Sequence, residues 1–270
     1  MKTHVLFSSI LCMALLLGAG KALALDIPPG GDALGHQLVA SQSSVIAQLT
    51  SNDGTVMGFT TAVPLTGQVP TQFRLAHDTY TATERLVPGN HYLLFLSMDA
   101  AGALQLATSA YSIVAVDLQE AASYRTAIAN YQQTWRDPQS FKRVALAQLD
   151  ASVPYLRYSA MADLAYRGLF TADDGALLAR LAASSTASQP EVRKLALGQI
   201  GGLRLVAYAE QLGAVLGNAA ETTSIRLAAL DGLRFMDRTD VIQRQAASVG
   251  DSPSPKLKAR MLEALEPQPQ

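Results

Sequence analysis

Along the second half of the chain, apolar and small residues return in a register that repeats every thirty-odd positions. Pro154-Tyr-Leu156-Arg157, Pro190-Glu-Val192-Arg193, Thr223-Ser-Ile225-Arg226 and Pro255-Lys-Leu257-Lys258 open four copies. Each opening is followed at equal offsets by Ala160, Met161 and Leu164; by Ala196, Leu197 and Ile200; by Ala229, Leu230 and Leu233; or by Met261, Leu262 and Leu265. The copies begin 36, 33 and 32 residues apart. That period suits stacked helical pairs, each of which buries its apolar face only against its neighbours. Proline at three of the four starts supports the register, because the first helical turn leaves its N–H unbonded in any case. The spacing predicts anchor helices starting near 154, 190, 223 and 255, with partner helices over 173–183, 206–216 and 239–249. Two earlier helices are expected over 118–135 and 139–149, divided by Asp137-Pro138. Gly168, Gly201-Gly202 and Gly217-Asn218 stand where helices should end or turn, since a left-handed residue closes many helices.

The first half has another rhythm. From Ser44 to Val116, short apolar runs alternate with turn residues, and no 3.6-residue period is sustained. Val45 to Leu49 leads into Asn52-Asp53-Gly54, a hairpin signal because Asp-Gly accepts the positive φ angles of a tight turn. Strands are expected at 55–63, 71–75, 91–96, 104–106 and 111–116, with turns at Val87-Pro88-Gly89-Asn90 and Asp99 to Gly102. A sheet of this size must close or stack to hide its edges, so a small antiparallel barrel or sandwich is predicted. The predicted fold class is therefore α+β, with a β domain over 25–117 and a helical region over 118–266.

Two resemblances sharpen this picture. Ile46-Ala47-Gln48-Leu49, Pro64-Leu65-Thr66-Gly67 and Leu86-x-Pro88-Gly89-x-x-Tyr92 to Leu96 resemble exported bacterial domains of the OB-like, netrin-module type. The cysteines on which the protease-inhibiting members of that superfamily depend are absent here. In the second half, the arginine shared by three openings, the Ala four residues before the final Leu or Ile, and the two-helix period resemble HEAT-type repeats. That resemblance implies a helical solenoid with an elongated surface for a protein or peptide partner.

The N-terminus adds an address. Met1-Lys2, the apolar run from Val5 to Gly18, and Ala22-Leu23-Ala24 before Leu25 have the form of a signal peptide cleaved after Ala24. Periplasmic localisation is expected, without stable membrane insertion after cleavage. Cys12 is the single cysteine, and Leu11 before it is too bulky for a lipidation motif, so the mature chain has no thiol for disulfides, metal or nucleophilic catalysis. The mature chain carries 19 Lys and Arg against 22 Asp and Glu, which argues against nucleic acid as a partner. Residues 25–117 sum to −5 and 118–270 to +2, so an electrostatic docking of the two parts is expected. Residues 267–270 are expected to be a disordered tail.

Candidate chemistry is sparse. Arg157, Arg193, Arg226 and Lys258 form a basic ladder that would line a stripe for carboxylates or an acidic partner, with Tyr158 beside Arg157 as an aromatic contact. The plainer reading is that each cation pairs with an acid of the neighbouring repeat and fixes the stacking. Of the aromatic residues, Tyr155, Tyr166, Phe170, Tyr208 and Phe235 read as packing. His36, His77 and His91 lack metal-ligand spacing, although His77, Asp78 and Glu84 share one loop. Neither a nucleophile elbow nor a phosphate loop is present, and no cofactor is expected. The expected function is a non-enzymatic binding or scaffold protein. The alternatives are a hydrolase or other enzyme with a pocket between the two parts, and a cell-envelope glycan binder acting through the β domain.

Overall fold

The computed structural model describes residues 33–77, 86–108, 112–183 and 189–266. The expected signal segment, Asp78 and Glu84 of the loop that follows His77, and residues 267–270 lie outside the described residues. An antiparallel, near-barrel sheet is followed by a helical region.

The sheet comprises β1 (Ser43–Asn52), β2 (Val56–Thr66), β3 (Gln72–Ala76), β4 (His91–Met98), β5 (Leu104–Leu106) and β6 (Ile113–Val116). Its order is β3-β2-β1-β4-β5, with β6 sharing the β4 edge with β5, and β3 comes back against β5. The pairing of β1 with β2 slips at Ser44/Val45, Ile46/Ala47 and Leu49/Ser51. Such bulges bend a strand and increase its twist, which is what a sheet needs in order to curl towards closure. At the first hairpin, Asp53 Oδ1 accepts hydrogen bonds from the N–H groups of Thr55 and Val56, and Gly54 takes φ +86°.

Strand β4 explains itself physically. Tyr92, Leu94 and Leu96 face the sheet's own interior with Val45, Leu49, Met57, Phe59 and Leu75, while Leu93 and Phe95 join the core of the helical region. Both faces are buried, so the strand reads as a continuous apolar run rather than an alternation. The described residues join the two parts through apolar packing. An apolar seam of Ile46, Leu93, Phe95 and Val114 runs into the helical core.

A helix absent from the sequence reading sits at this seam. α1 (Leu34–Ala40) lies between the sheet and the helices. Its buried Gln37 donates to Thr108 and accepts from Ser112 in the β5–β6 connection, at 2.6 and 2.8 Å. At its other end the N–H of Gly35 donates to the buried carboxylate of Asp163 at 2.9 Å. A Cβ at position 35 would lie 2.0 Å from the ring of Trp135, so only glycine admits that ring.

The helical region then runs α2 (Ala121–Thr134), α3 (Pro138–Gln148), α4 (Pro154–Tyr166), α5 (Gly175–Ala183), α6 (Pro190–Gly202), α7 (Ala209–Gly217), α8 (Thr223–Phe235), α9 (Thr239–Arg244), α10 (Ala246–Gly250) and α11 (Pro255–Leu265). The four anchor helices start at the predicted residues, and three begin with proline in the first turn. Where proline is missing, Thr222 caps α8 by accepting from the Ile225 N–H. The anchors pack on one another in the order α4, α6, α8, α11, with α5, α7 and then α9 and α10 against them as a second row.

The first three anchors also end alike. Fourteen residues after each start, Gly168, Arg204 and Asp237 adopt φ values of +62°, +51° and +57°. In all three the next amide reaches back to the helix, from Leu169 to Leu164, Leu205 to Ile200 and Arg238 to Leu233. This closure supplies donors to terminal carbonyls that the helix itself leaves unbonded. Gly201 and Gly202, expected where a helix ends or turns, are the last two residues of α6. Gly201 meets Gly232 of α8 backbone to backbone, where an added Cβ would lie 2.4 Å from the Gly232 Cα.

Candidate interaction surface

The basic ladder does not form a surface stripe. Arg193 and Arg226 are only 8 % and 3 % exposed. Each donates from Nε to the carbonyl of the penultimate residue of the preceding helix: Arg193 to Ala182 of α5 at 3.1 Å, Arg226 to Leu216 of α7 at 2.8 Å. A guanidinium is well suited to this position, because helix C-terminal carbonyls lack intrahelical donors and carry partial negative charge. The remaining nitrogens of Arg193 clamp both carboxylate oxygens of Glu221, just ahead of α8, at 2.8 and 2.7 Å. Arg226 reaches the Ser248 carbonyl instead, at 3.3 Å.

The other ladder positions diverge. Arg157 is half-buried, with its Nε enclosed and without a hydrogen-bond partner among the described residues. Tyr158 is half-buried against the core, and Lys258 is exposed. Common sequence register therefore places these side chains equivalently along their helices but not at one accessible face. The inward direction of Arg193 and Arg226 removes them from any contact surface on the folded chain.

A different set of residues shares register and exposure. Tyr166 and Phe235 are the last residues of α4 and α8, twelve positions after the helix starts, and are 53 % and 40 % exposed. The equivalent residue of α6, the helix between them, is the exposed Gly202. Gly202 leaves that register of α6 without a side chain, and a Cβ added there would meet nothing within 4 Å. Val206, four residues after Gly202, is 50 % exposed. Two residues after Gly202, Arg204 reaches across to the end of α8, donating to the Phe235 carbonyl at 3.0 Å and to Asp237 at 2.7 Å. Further along the same edge, Arg238 grips Asp240 with two bonds of 2.7 Å, holding the Asp240 carboxyl well below the usual carboxylate range. In the sequence, the shared offset of Tyr166 and Phe235 was the available signal for this edge. Their aromatic character points equally to a core.

Two grooves lie elsewhere. One of about 430 Å³ runs between α2 and α3, lined chiefly by small residues with Asn130 and Gln148. The other, of about 700 Å³, opens where the sheet meets the helical region, and His91 and Asp117 are its titratable residues. Asp117 accepts from the Gln119 N–H at 2.9 Å, acting as a helix cap. His77 Nε2 is bonded to Asn52 Oδ1 at 2.8 Å. Among the described residues no group of three or more His, Cys, Asp or Glu side chains could hold a metal ion, and no helix is long and apolar enough to cross a membrane.

The chain matches no protein-family model, no curated protein and no solved structure.

Proposed function

We propose that this is an exported, non-enzymatic binding protein whose helical region is a short HEAT-like solenoid that docks a protein partner along the turn edge of its repeats. The observation that carries this reading is the pair of exposed rings, Tyr166 and Phe235, at one register on either side of Gly202. Rigid aromatic groups supply large contact area at little entropic cost and dominate many protein interfaces. The bonds of Arg204 to the Phe235 carbonyl and to Asp237 fix the turn that carries the second ring, so less ordering remains to be done there on binding. The recurrent left-handed closure and the recurrent Nε-to-carbonyl bond support the solenoid reading, since they repeat in three dimensions the period of the sequence. The β region, an OB-like barrel in this reading, covers the first helices and lends them its apolar seam. Export with cleavage after Ala24 would place the protein in a bacterial periplasm.

The test is site-specific photo-crosslinking in the exported full-length protein. A photoreactive residue at 166 or at 235 should capture the same protein from a periplasmic extract. The variant Tyr166→Ala with Phe235→Ala should lose that partner while melting within about 2 °C of wild type, as expected of exposed positions. Capture from position 53 on the far hairpin, with none from 166 or 235, would sink the proposal.

A further inference from the structure

The last anchor helix leaves open a face that its predecessors cover. Seven residues after each anchor start stand Met161, Leu197, Leu230 and Leu262. The first three are 0 % exposed and Leu262 is 62 % exposed. Three residues after the start, Arg193 and Arg226 are buried, whereas Lys258 is exposed. In the interior, α8 packs over α6 and α11 over α8. Among the described residues no anchor helix follows α11.

The open face has a definite charge order. Lys258, Leu262 and Glu266 are four residues apart, so they line one side of the helix, and all three are exposed. Neither Lys258 nor Glu266 takes part in an ion pair among the described residues. The neighbouring charges are engaged otherwise: Arg260 bonds both Asp231 of α8 and Glu263. The stripe thus reads positive, apolar, negative. An antiparallel copy of it would set Lys258 against Glu266 twice, with Leu262 on Leu262 at the centre, which is the self-complementarity a two-fold interface requires. A parallel copy would set like charges together.

We infer that the open face of α11 docks antiparallel on α11 of a second copy of this chain, with a two-fold axis at Leu262. The occupant covers in the dimer, with its helix reversed, what the interior repeats cover within one chain. This inference rests on the repeated register and is independent of the aromatic edge. A single helix pair buries less than the ~800 Å² per partner of a standard interface, so dissociation is expected on the order of micromolar concentrations.

Sedimentation equilibrium of the exported chain across the micromolar range tests it, with a thermal melt of each variant alongside. Wild type should pass from monomer to dimer. Lys258→Glu alone and Glu266→Lys alone should each weaken the dimer by about tenfold or more, because the symmetry repeats every clash, and the double variant should return to within about threefold of wild type. Leu262→Asp should stay monomeric with an unchanged melt. A wild type that is monomeric throughout, or charge variants that associate like wild type, would overturn the proposal. So would a double variant that does not recover, or a Leu262→Asp variant whose melt falls because the chain covers its own face.

Discussion

Arg204 and Asp237, which hold the left-handed closing position of α6 and α8, are bonded to each other across 2.7 Å. At the third such position the chain uses Gly168. A side chain in this conformation costs roughly 1 kcal/mol or more relative to glycine, and the two residues that bear that cost also tie consecutive repeats together at their turn edge.

The two contributions can be separated by experiment. Asp237→Asn keeps a residue that tolerates positive φ but removes the charge, and because the pair is exposed it should lower stability by under about 1 kcal/mol. Asp237→Gly loses the same pair but relieves the backbone, so it should be neutral or slightly stabilising. Asp237→Val places a β-branched side chain at positive φ and should cost about 1–3 kcal/mol. Urea unfolding of the three variants gives the order, and Val more stable than Gly would refute the account.

Two glycines of one helix should respond to alanine with opposite sign. Gly198 of α6 has nothing within 4 Å of an added Cβ, so Gly198→Ala should stabilise by about 0.5–1 kcal/mol through backbone entropy and helix propensity. Gly201→Ala, three residues on, meets the backbone of Gly232 and must part α6 from α8, at a cost of about 1–3 kcal/mol. Thermal melts that move in the same direction would mean that the Gly201–Gly232 contact does not set the helix spacing.

Arg193 offers a test of cross-repeat stacking. Arg193→Ala leaves the Glu221 carboxylate and the Ala182 carbonyl without their donors, and should cost about 1–3 kcal/mol. Leu197→Ala, in the core of the same helix and fully buried, should cost about 2–5 kcal/mol and calibrates the scale. If Arg193→Ala melts like wild type, the clamp is dispensable and the stacking is apolar alone.

The same pair predicts a pH dependence. Arg193 bonded to the charged form holds the Glu221 carboxyl below its usual value. The folded chain therefore binds that proton less readily than the unfolded chain does. The resulting stability is complete above the ordinary carboxylate range and is lost as pH falls through the depressed value. In Glu221→Gln the contribution is absent at every pH. The melting-temperature difference between wild type and Glu221→Gln should be largest near neutrality and shrink as the pH approaches about 3. A difference that does not vary with pH would exclude ionisation of Glu221 as its source.

Much of the fold was legible in the chain because local chemistry and periodicity agree there. The anchor starts at Pro154, Pro190 and Pro255 were readable from proline and the residues spaced behind it, and β4 from an apolar run bounded by turns. α1 was not readable. It is seven residues long, contains Gly35, and is held by Gln37 to Thr108 and Ser112 and by Asp163, more than seventy positions away in sequence. The packing role of Gly201 was not readable for a related reason. Gly201 resembles a helix stop locally, whereas its role is to let α8 approach α6.

The sequence by itself determined where elements begin, which residues recur, and that the chain divides into a β part and a helical part, since these follow from propensity, capping and periodicity within a few residues. Only the tertiary structure decided which way the recurring residues face. Arg193, Arg226 and Lys258 occupy one register, yet the first two are buried and the third is exposed. Leu262 repeats Leu230, yet only Leu230 is covered. A period specifies equivalence along the chain, but burial depends on what packs against each copy, and that differs from one copy to the next.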